Sequence, residues 1–171
     1  VQEINFSESA VDITIRAGTE ESSWVGMHAE LLLRPFLTPV CAPSLLNGPL
    51  PLKTPADLAK HVLLIPTSAA TGWEQWIEAA AAQGHDMSAV DPTRGMYFNQ
   101  VHMPTIVALS GLGVDLGRVP IVSEQLRKGT LVAPFDLRVP QAISYWFVCP
   151  RKAADTEAVR LFRNWLRSEL E

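Results

Sequence analysis

Gly111 to Arg118 reads "GLGVDLGR", with glycines at 111, 113 and 117. Alternating glycines suggest a phosphate cradle, so what they are for decides the fold class. A dinucleotide fingerprint places its glycines after a strand and before a helix, because the pyrophosphate rests on the helix N-terminus. Here the order is reversed. The glycines follow the helical stretch "TIVALS" (Thr105–Ser110) and precede the strand-like "VDL" (Val114–Leu116). Gly111 or Gly113 therefore reads as a left-handed helix C-cap, and Gly117 as the end of the strand. The Walker pattern G-x-x-x-x-G-K-[ST] is absent from the sequence.

Outward from this unit the pattern is regular. "IVSEQLRKG" (Ile121–Gly129) reads as a short helix with a glycine stop, and "TLVAPF" (Thr130–Phe135) and "ISYWFVC" (Ile143–Cys149) as strands. Upstream, "GMYF" (Gly95–Phe98) reads as a strand, with Asn99 expected to cap a helix reaching Ser110. "GWEQWIEAAAAQG" (Gly72–Gly84) reads as a helix with Trp73, Trp76, Ile77 and Ala80 on one side. "VLLIP" (Val62–Pro66) is wholly apolar, as a strand covered on both faces should be. "TPADLAKH" (Thr54–His61) carries a Thr cap, Pro at the first helical position and Asp57 at the positive end. "SLLNG" (Ser44–Gly48) suits one helical turn. "LTPVC" (Leu37–Cys41), Ala29–Leu33 and "VDITIR" (Val11–Arg16) read as strands. In the last helix, Thr156–Leu170, the apolar face Val159, Phe162, Trp165, Leu166 and Leu170 opposes Arg160, Arg163 and Arg167. Short strands alternating with helices predict an α/β fold with mainly parallel sheets.

Composition narrows the function. The 171 residues are 47% apolar and 19% charged with net charge −4, enough for a substantial core and unlike a basic nucleic-acid binder. No apolar run nears the roughly 18 residues of a membrane span. No signal peptide opens the chain, whose start reads as a cut end. Two cysteines, Cys41 and Cys149, make no disulfide framework and are expected as reduced, buried thiols, which points to the cytoplasm. His28, His61, His85 and His102 are scattered without metal-ligand spacing, so no metal and no cofactor are expected. No Gly-x-Ser-x-Gly elbow occurs, so the chain is not expected to be an enzyme. The arginine stripe of the last helix is expected to be a solvated face.

Five stretches in order carry a resemblance. "VDITIRAG" is similar to V-D-[LI]-A-I-R-x-G, "LTPVCAPSLL" to [FY]-P-V-C-S-P-x-[LY]-L, "LLIPTSAATGWEQWIEAAA" to L-L followed by W-x-x-W, "GLGVDLG" with its following helix to G-x-G-[VI]-[AG]-[LW]-[GL], and "FRNWLRSEL" to F-[RV]-[DE]-W-L. Together they resemble the effector-binding domain of LysR-type transcriptional regulators, in the branch related to the glycine-cleavage activator. Asp115 departs from the small apolar residue usual at its position, and a buried carboxylate there needs a partner or exposure. Met103-Pro104 is also unusual at that helix start.

The resemblance implies a two-lobed fold like type 2 periplasmic binding proteins, with two crossing strands between lobe I (1–39 plus 147–171) and lobe II (40–146). It implies a fragment as well. The match begins in the short helix before "VDITIR", and the winged helix-turn-helix, the linker helix and the first strand–helix–strand have no counterpart in this sequence. Function would then be effector sensing, with a small metabolite, a carboxylate, in the interlobe cleft. DNA would be contacted only through the missing N-terminal domain, and the chain would form a homodimer or homotetramer. Hydroxyls and amides on strand-end loops make Thr67, Ser68, Asn99, Gln100 and His102 the candidate ligand-binding residues. By analogy Tyr145 or Trp146 lies near the hinge, with Tyr145 the candidate ligand contact, and Thr19 to Ser22 face the cleft. The rival function is a periplasmic solute-binding protein of a transport system.

Overall fold

The computed structural model describes residues 11–19 and 24–170. The expected short helix before Val11, and Glu20, Glu21 and Ser22 of the first cleft loop, lie outside the described residues. In chain order the elements are β1 (Thr14–Gly18), β2 (Met27–Leu33), β3 (Phe36–Val40), β4 (Leu63–Pro66), α1 (Gly72–Ala82), β5 (Gly95–Phe98), α2 (Met103–Leu109), β6 (Val114–Val119), α3 (Ser123–Lys128), β7 (Val139–Pro140), β8 (Ser144–Pro150) and α4 (Glu157–Leu170). Single 3-10 turns cover Pro43–Leu46, Pro55–Lys60, Thr67–Ala69 and Arg151–Ala153.

The chain forms two units, 1–35 with 141–171 and 36–140. The motifs set these divisions at 39/40 and 146/147. β3 stays with the second unit because it pairs with β6 and β7, and all of β8 belongs to the first because it pairs with β1 and β2. Cys41 lies in the second unit and Cys149 in the first, both free and buried.

The first unit is a three-stranded sheet in the order β1-β8-β2, antiparallel throughout. Phe147 and Cys149 of β8 are buried against Val159 and Ala154, with Leu166 of α4 alongside. Of the α4 stripe only Val159 is buried and Leu166 half-buried, whereas Phe162, Trp165 and Leu170 are exposed. Arg167 on the far side is exposed but not merely solvated, since its Nε donates to Glu30 of β2 at 2.7 Å.

The second unit holds five strands in the order β5-β4-β6-β3-β7. β4 runs parallel to β5 and to β6, while β3 is antiparallel to β6 and β7. Among the described strands, with the first sheet included, antiparallel pairs outnumber parallel ones, a correction to the mainly parallel sheets expected. Helical crossovers are needed only between β4, β5 and β6, and those three strands are the parallel ones.

β4 is buried on both faces, as its apolar run predicts. Leu63 and Ile65 join Trp73, Trp76 and Ala80 of α1. Leu64 joins Ala108 of α2, with Val40, Val122 and Leu131. Connections from β4 to β5 and from β5 back across β4 to β6 run in opposite directions. Right-handed crossovers therefore put α1 and α2 on opposite faces.

Three local expectations change. α2 opens at Met103 with His102 at its N-cap, not at Asn99. In a helix begun at Asn99, Pro104 would sit deep enough to lose an internal hydrogen bond; at the first turn it loses nothing. Of the two glycines read as the left-handed cap of α2, Gly111, at φ 73, is the one that takes it, and Gly113 does not. Gly117 does not end its strand, which runs to Val119. A Cβ there would stand 2.8 Å from Val40 Cγ2, so glycine lets β3 and β6 close up. "TLVAPF" supplies only a bridge from Val132 to Cys41, because Pro134 cannot donate to a ladder.

Candidate functional site

Ligands on open α/β sheets bind outside the carboxyl ends of the parallel strands, where the chain order reverses. In the second unit that edge follows from register. Leu63 pairs with Gly95 and Pro66 with Phe98, so β4 and β5 end level. Thr67 and Ser68 directly follow β4, and Asn99 and Gln100 directly follow β5, so the structure brings all four to one edge. Each is exposed, as is His102 at the α2 N-cap. Tyr145 is the second residue of β8 in the first unit, half-buried, and pairs with Ala17 and Leu33.

The donors at this edge are largely backbone. Thr67–Ala69 forms a 3-10 turn, with no side-chain hydrogen bond at its cap. α1 follows with Thr71 at its N-cap, again with no side-chain cap bond. Its first amides keep hydrogen-bonding capacity in a field that favours anions.

Arg118 is a residue the motifs did not point to. β6 pairs Val114 with Leu63 and Asp115 with Leu64, and carrying that register forward sets Arg118 level with Thr67. Arg118 lies opposite Leu37 on β3. Leu37 and Leu116 pack at Gly72, the first residue of α1; a Cβ on Gly72 would meet them at 3.4 and 3.1 Å. Opposed residues of an antiparallel pair share a face. Arg118 is therefore on the α1 face, next to the start of that helix. No spacing rule signals it, because its place depends on which strands pair.

Asp115 points to the opposite face. It is 4% exposed, and Thr105 Oγ1 of α2 donates to its Oδ2 at 2.7 Å. The partner that a carboxylate in this strand requires is thus a threonine hydroxyl from the crossing helix. Desolvation outweighs this bond and the Leu116 amide, and pushes the carboxyl up to about 6.

With this geometry in place, relatives can be compared. Residues 6–171 match the LysR substrate binding domain. The chain belongs to the LysR substrate-binding-domain family. It is 31% identical over 156 residues to the glycine cleavage system transcriptional activator of Escherichia coli K12, covering 91% of this chain and 48% of that protein. It is 30% identical over 169 residues to the transcriptional activator AmpR of Enterobacter cloacae, covering 98% and 54%. The chain thus spans about half the length of the curated relatives it matches. Among solved structures, the AmpR effector binding domain from Citrobacter freundii superposes with a TM-score of 0.71 at 26% identity, covering 98% of this chain and 78% of that one. The effector domain of AmpR from Pseudomonas aeruginosa gives 0.68 at 29%, covering 98% and 76%. The fold is the LysR family's α/β fold of the type 2 periplasmic-binding-protein kind. These LysR-family relatives are transcriptional regulators, not enzymes. Among the described residues no helix is long and apolar enough to cross a membrane.

Proposed function

We propose that this chain senses a small carboxylate metabolite for a LysR-type transcription factor, and that the effector binds at the carboxyl end of β4 and β5. One observation carries the reading: two hydroxyls and two amides, from segments 32 residues apart in the chain (Ser68 and Gln100), converge on one edge of the parallel strands. Thr67 and Ser68 supply hydroxyls, and Asn99 and Gln100 supply amides that both donate and accept. Arg118 and the first amides of α1 supply the positive field for a carboxylate. His102 borders the edge. A transmitted signal requires the effector to prefer one of two arrangements of the regulator. DNA is reached through a part of the regulator outside this chain, and the regulator works in the cytoplasm as a homodimer or homotetramer. Edge strand β5, with Met96 48% and Tyr97 50% exposed, supports self-association. The transport reading is disfavoured because the relatives named above are regulators of transcription.

The test is a thermal-shift screen of the chain against small carboxylates. A true effector at a hundredfold excess over its Kd should stabilise by about 2.7 kcal/mol. Ser68→Ala and Asn99→Ala are expected to reduce that shift, and Arg118→Gln to reduce it most for doubly charged acids. If all three variants keep the full shift, the site is elsewhere.

A further inference from the structure

Asp115 stands where the family resemblance leads one to expect a small apolar residue, and its surroundings on that face are almost wholly uncharged. The apolar cluster on that face includes Val40 of β3, Leu64 of β4, Ala108 and Val107 of α2, and Val122, Leu126 and Leu131 of α3 and its flanks, and Thr38 of β3 and Thr105 of α2 add hydroxyls. Thr38, opposite Gly117 and so on the same face, is 3% exposed, and its hydroxyl has no hydrogen-bond partner. The carboxyl rests on Thr105 Oγ1 and the Leu116 amide, and among the described residues no cation pairs with it. Thr105 sits in the first turn of α2, two residues after Met103, where the loop carrying Asn99, Gln100 and His102 enters the helix.

We propose that Asp115 and Thr105 form a latch that holds the first turn of α2, and with it the 99–102 loop, onto β6 while the carboxyl is protonated, and lets it lift when the carboxyl ionises. The functional consequence rests on the effector reading above; the latch itself does not. Asp115 is a positioning residue here, acting on the loop through Thr105. The protonated carboxyl satisfies both groups without a buried charge. Loss of its proton to solvent leaves a carboxylate with two donors in an apolar layer, which is stabilised by admitting water. The short start of α2, whose Thr105 holds the carboxyl, can make way without breaking the sheet. A buried carboxyl raised above its unfolded value binds its proton more tightly when folded. The stability it contributes is complete below the unfolded value and is lost as pH rises through the folded one. The latch is closed in mild acid and open at neutral pH.

Hydrogen–deuterium exchange of the effector-free chain, corrected for intrinsic rates, tests this. Amides in 99–106 should exchange roughly tenfold faster near pH 7.5 than near pH 5, while those of α1 keep their relative protection. Asp115→Asn keeps the shape and the bond to Thr105 but cannot ionise, so its exchange should stay slow at both values. Thr105→Val keeps the titration but exchanges faster at the acid end. A carboxyl-carbon NMR titration of the unaltered chain is a second measurement. A midpoint for Asp115 at the ordinary value of about 4 overturns the latch. So does exchange in 99–106 that ignores pH, or the same pH response in Asp115→Asn. A working latch together with an undiminished carboxylate shift in Ser68→Ala, Asn99→Ala and Arg118→Gln alike overturns the effector reading and leaves the latch standing.

Discussion

Replacing Trp76 with alanine is expected to cost the second unit about 3–5 kcal/mol, the usual range for emptying a large aromatic site. Trp76 is 0% exposed. Its ring packs edge-on to Trp73 at 6.4 Å and lies 5.6 Å from Phe135. Its indole N–H donates to the Leu137 carbonyl at 3.3 Å. Truncation removes this contact area and takes away the N–H that the Leu137 carbonyl accepts. It also loosens α1, whose first amides belong to the proposed effector edge. Urea unfolding should show a lower midpoint with an unchanged slope. A cost under about 1 kcal/mol would mean that α1 is not anchored through this ring.

Gly95→Ala should be nearly as damaging for the opposite reason. A Cβ there would lie 2.1 Å from the Leu63 carbonyl oxygen and 2.9 Å from Ile65 Cδ1. The obstruction is backbone, which cannot rotate away, so β5 must part from β4. The expected loss is about 3 kcal/mol or more. Because β4 and β5 end level only while paired, the loops at 67–69 and 99–102 should lose their common edge, and any carboxylate-induced thermal shift should go with it. Gly84→Ala is the control. Gly84 has φ 90 but nothing within 4 Å of its would-be Cβ, so only backbone strain of about 1–2 kcal/mol is expected. Equal effects of the two substitutions would mean that the close approach at Gly95 is not decisive.

Much of the second unit is legible in its residues because local chemistry there agrees with tertiary need. β4 reads as doubly covered because three consecutive apolar side chains leave no solvent face, and α1 reads from Trp73, Trp76 and Ala80 at helical spacing. Gly129, and one of Gly111 and Gly113, read as stops because a left-handed residue ends those helices well, and Gly111 and Gly129 have positive φ. What could not be read depends on contacts distant in the chain. Gly117 is a packing residue for Val40, not a terminator, and that follows only from β3 lying against β6. "TLVAPF" has strand composition, but a proline and the lack of a second partner leave it a single bridge. The α4 stripe has the period of a buried face, yet periodicity does not say how much of that face is covered. At the candidate site, Thr67, Ser68, Asn99 and Gln100 were readable as loop residues after strands, whereas their common edge needs the β4–β5 register. Asp115 announced that it needed a partner; Thr105 could be named only once α2 was seen to cross β6. Arg118 gave no signal at all.

The second unit is one unbroken length of chain, 36–140, set inside a first unit whose described strands come from both sides of it. That order has a consequence during synthesis. β8 is the middle strand of the first sheet, and β1 and β2 have no ladder with each other. As the chain leaves the ribosome, the inserted unit is finished before its host can pair a single described strand, so effector-edge geometry is in place while β1 and β2 still wait for Ser144–Pro150. A stalled or truncated product ending before β8 would therefore carry an assembled inner unit on an unpaired outer one, and chaperone engagement should concentrate on those two waiting strands.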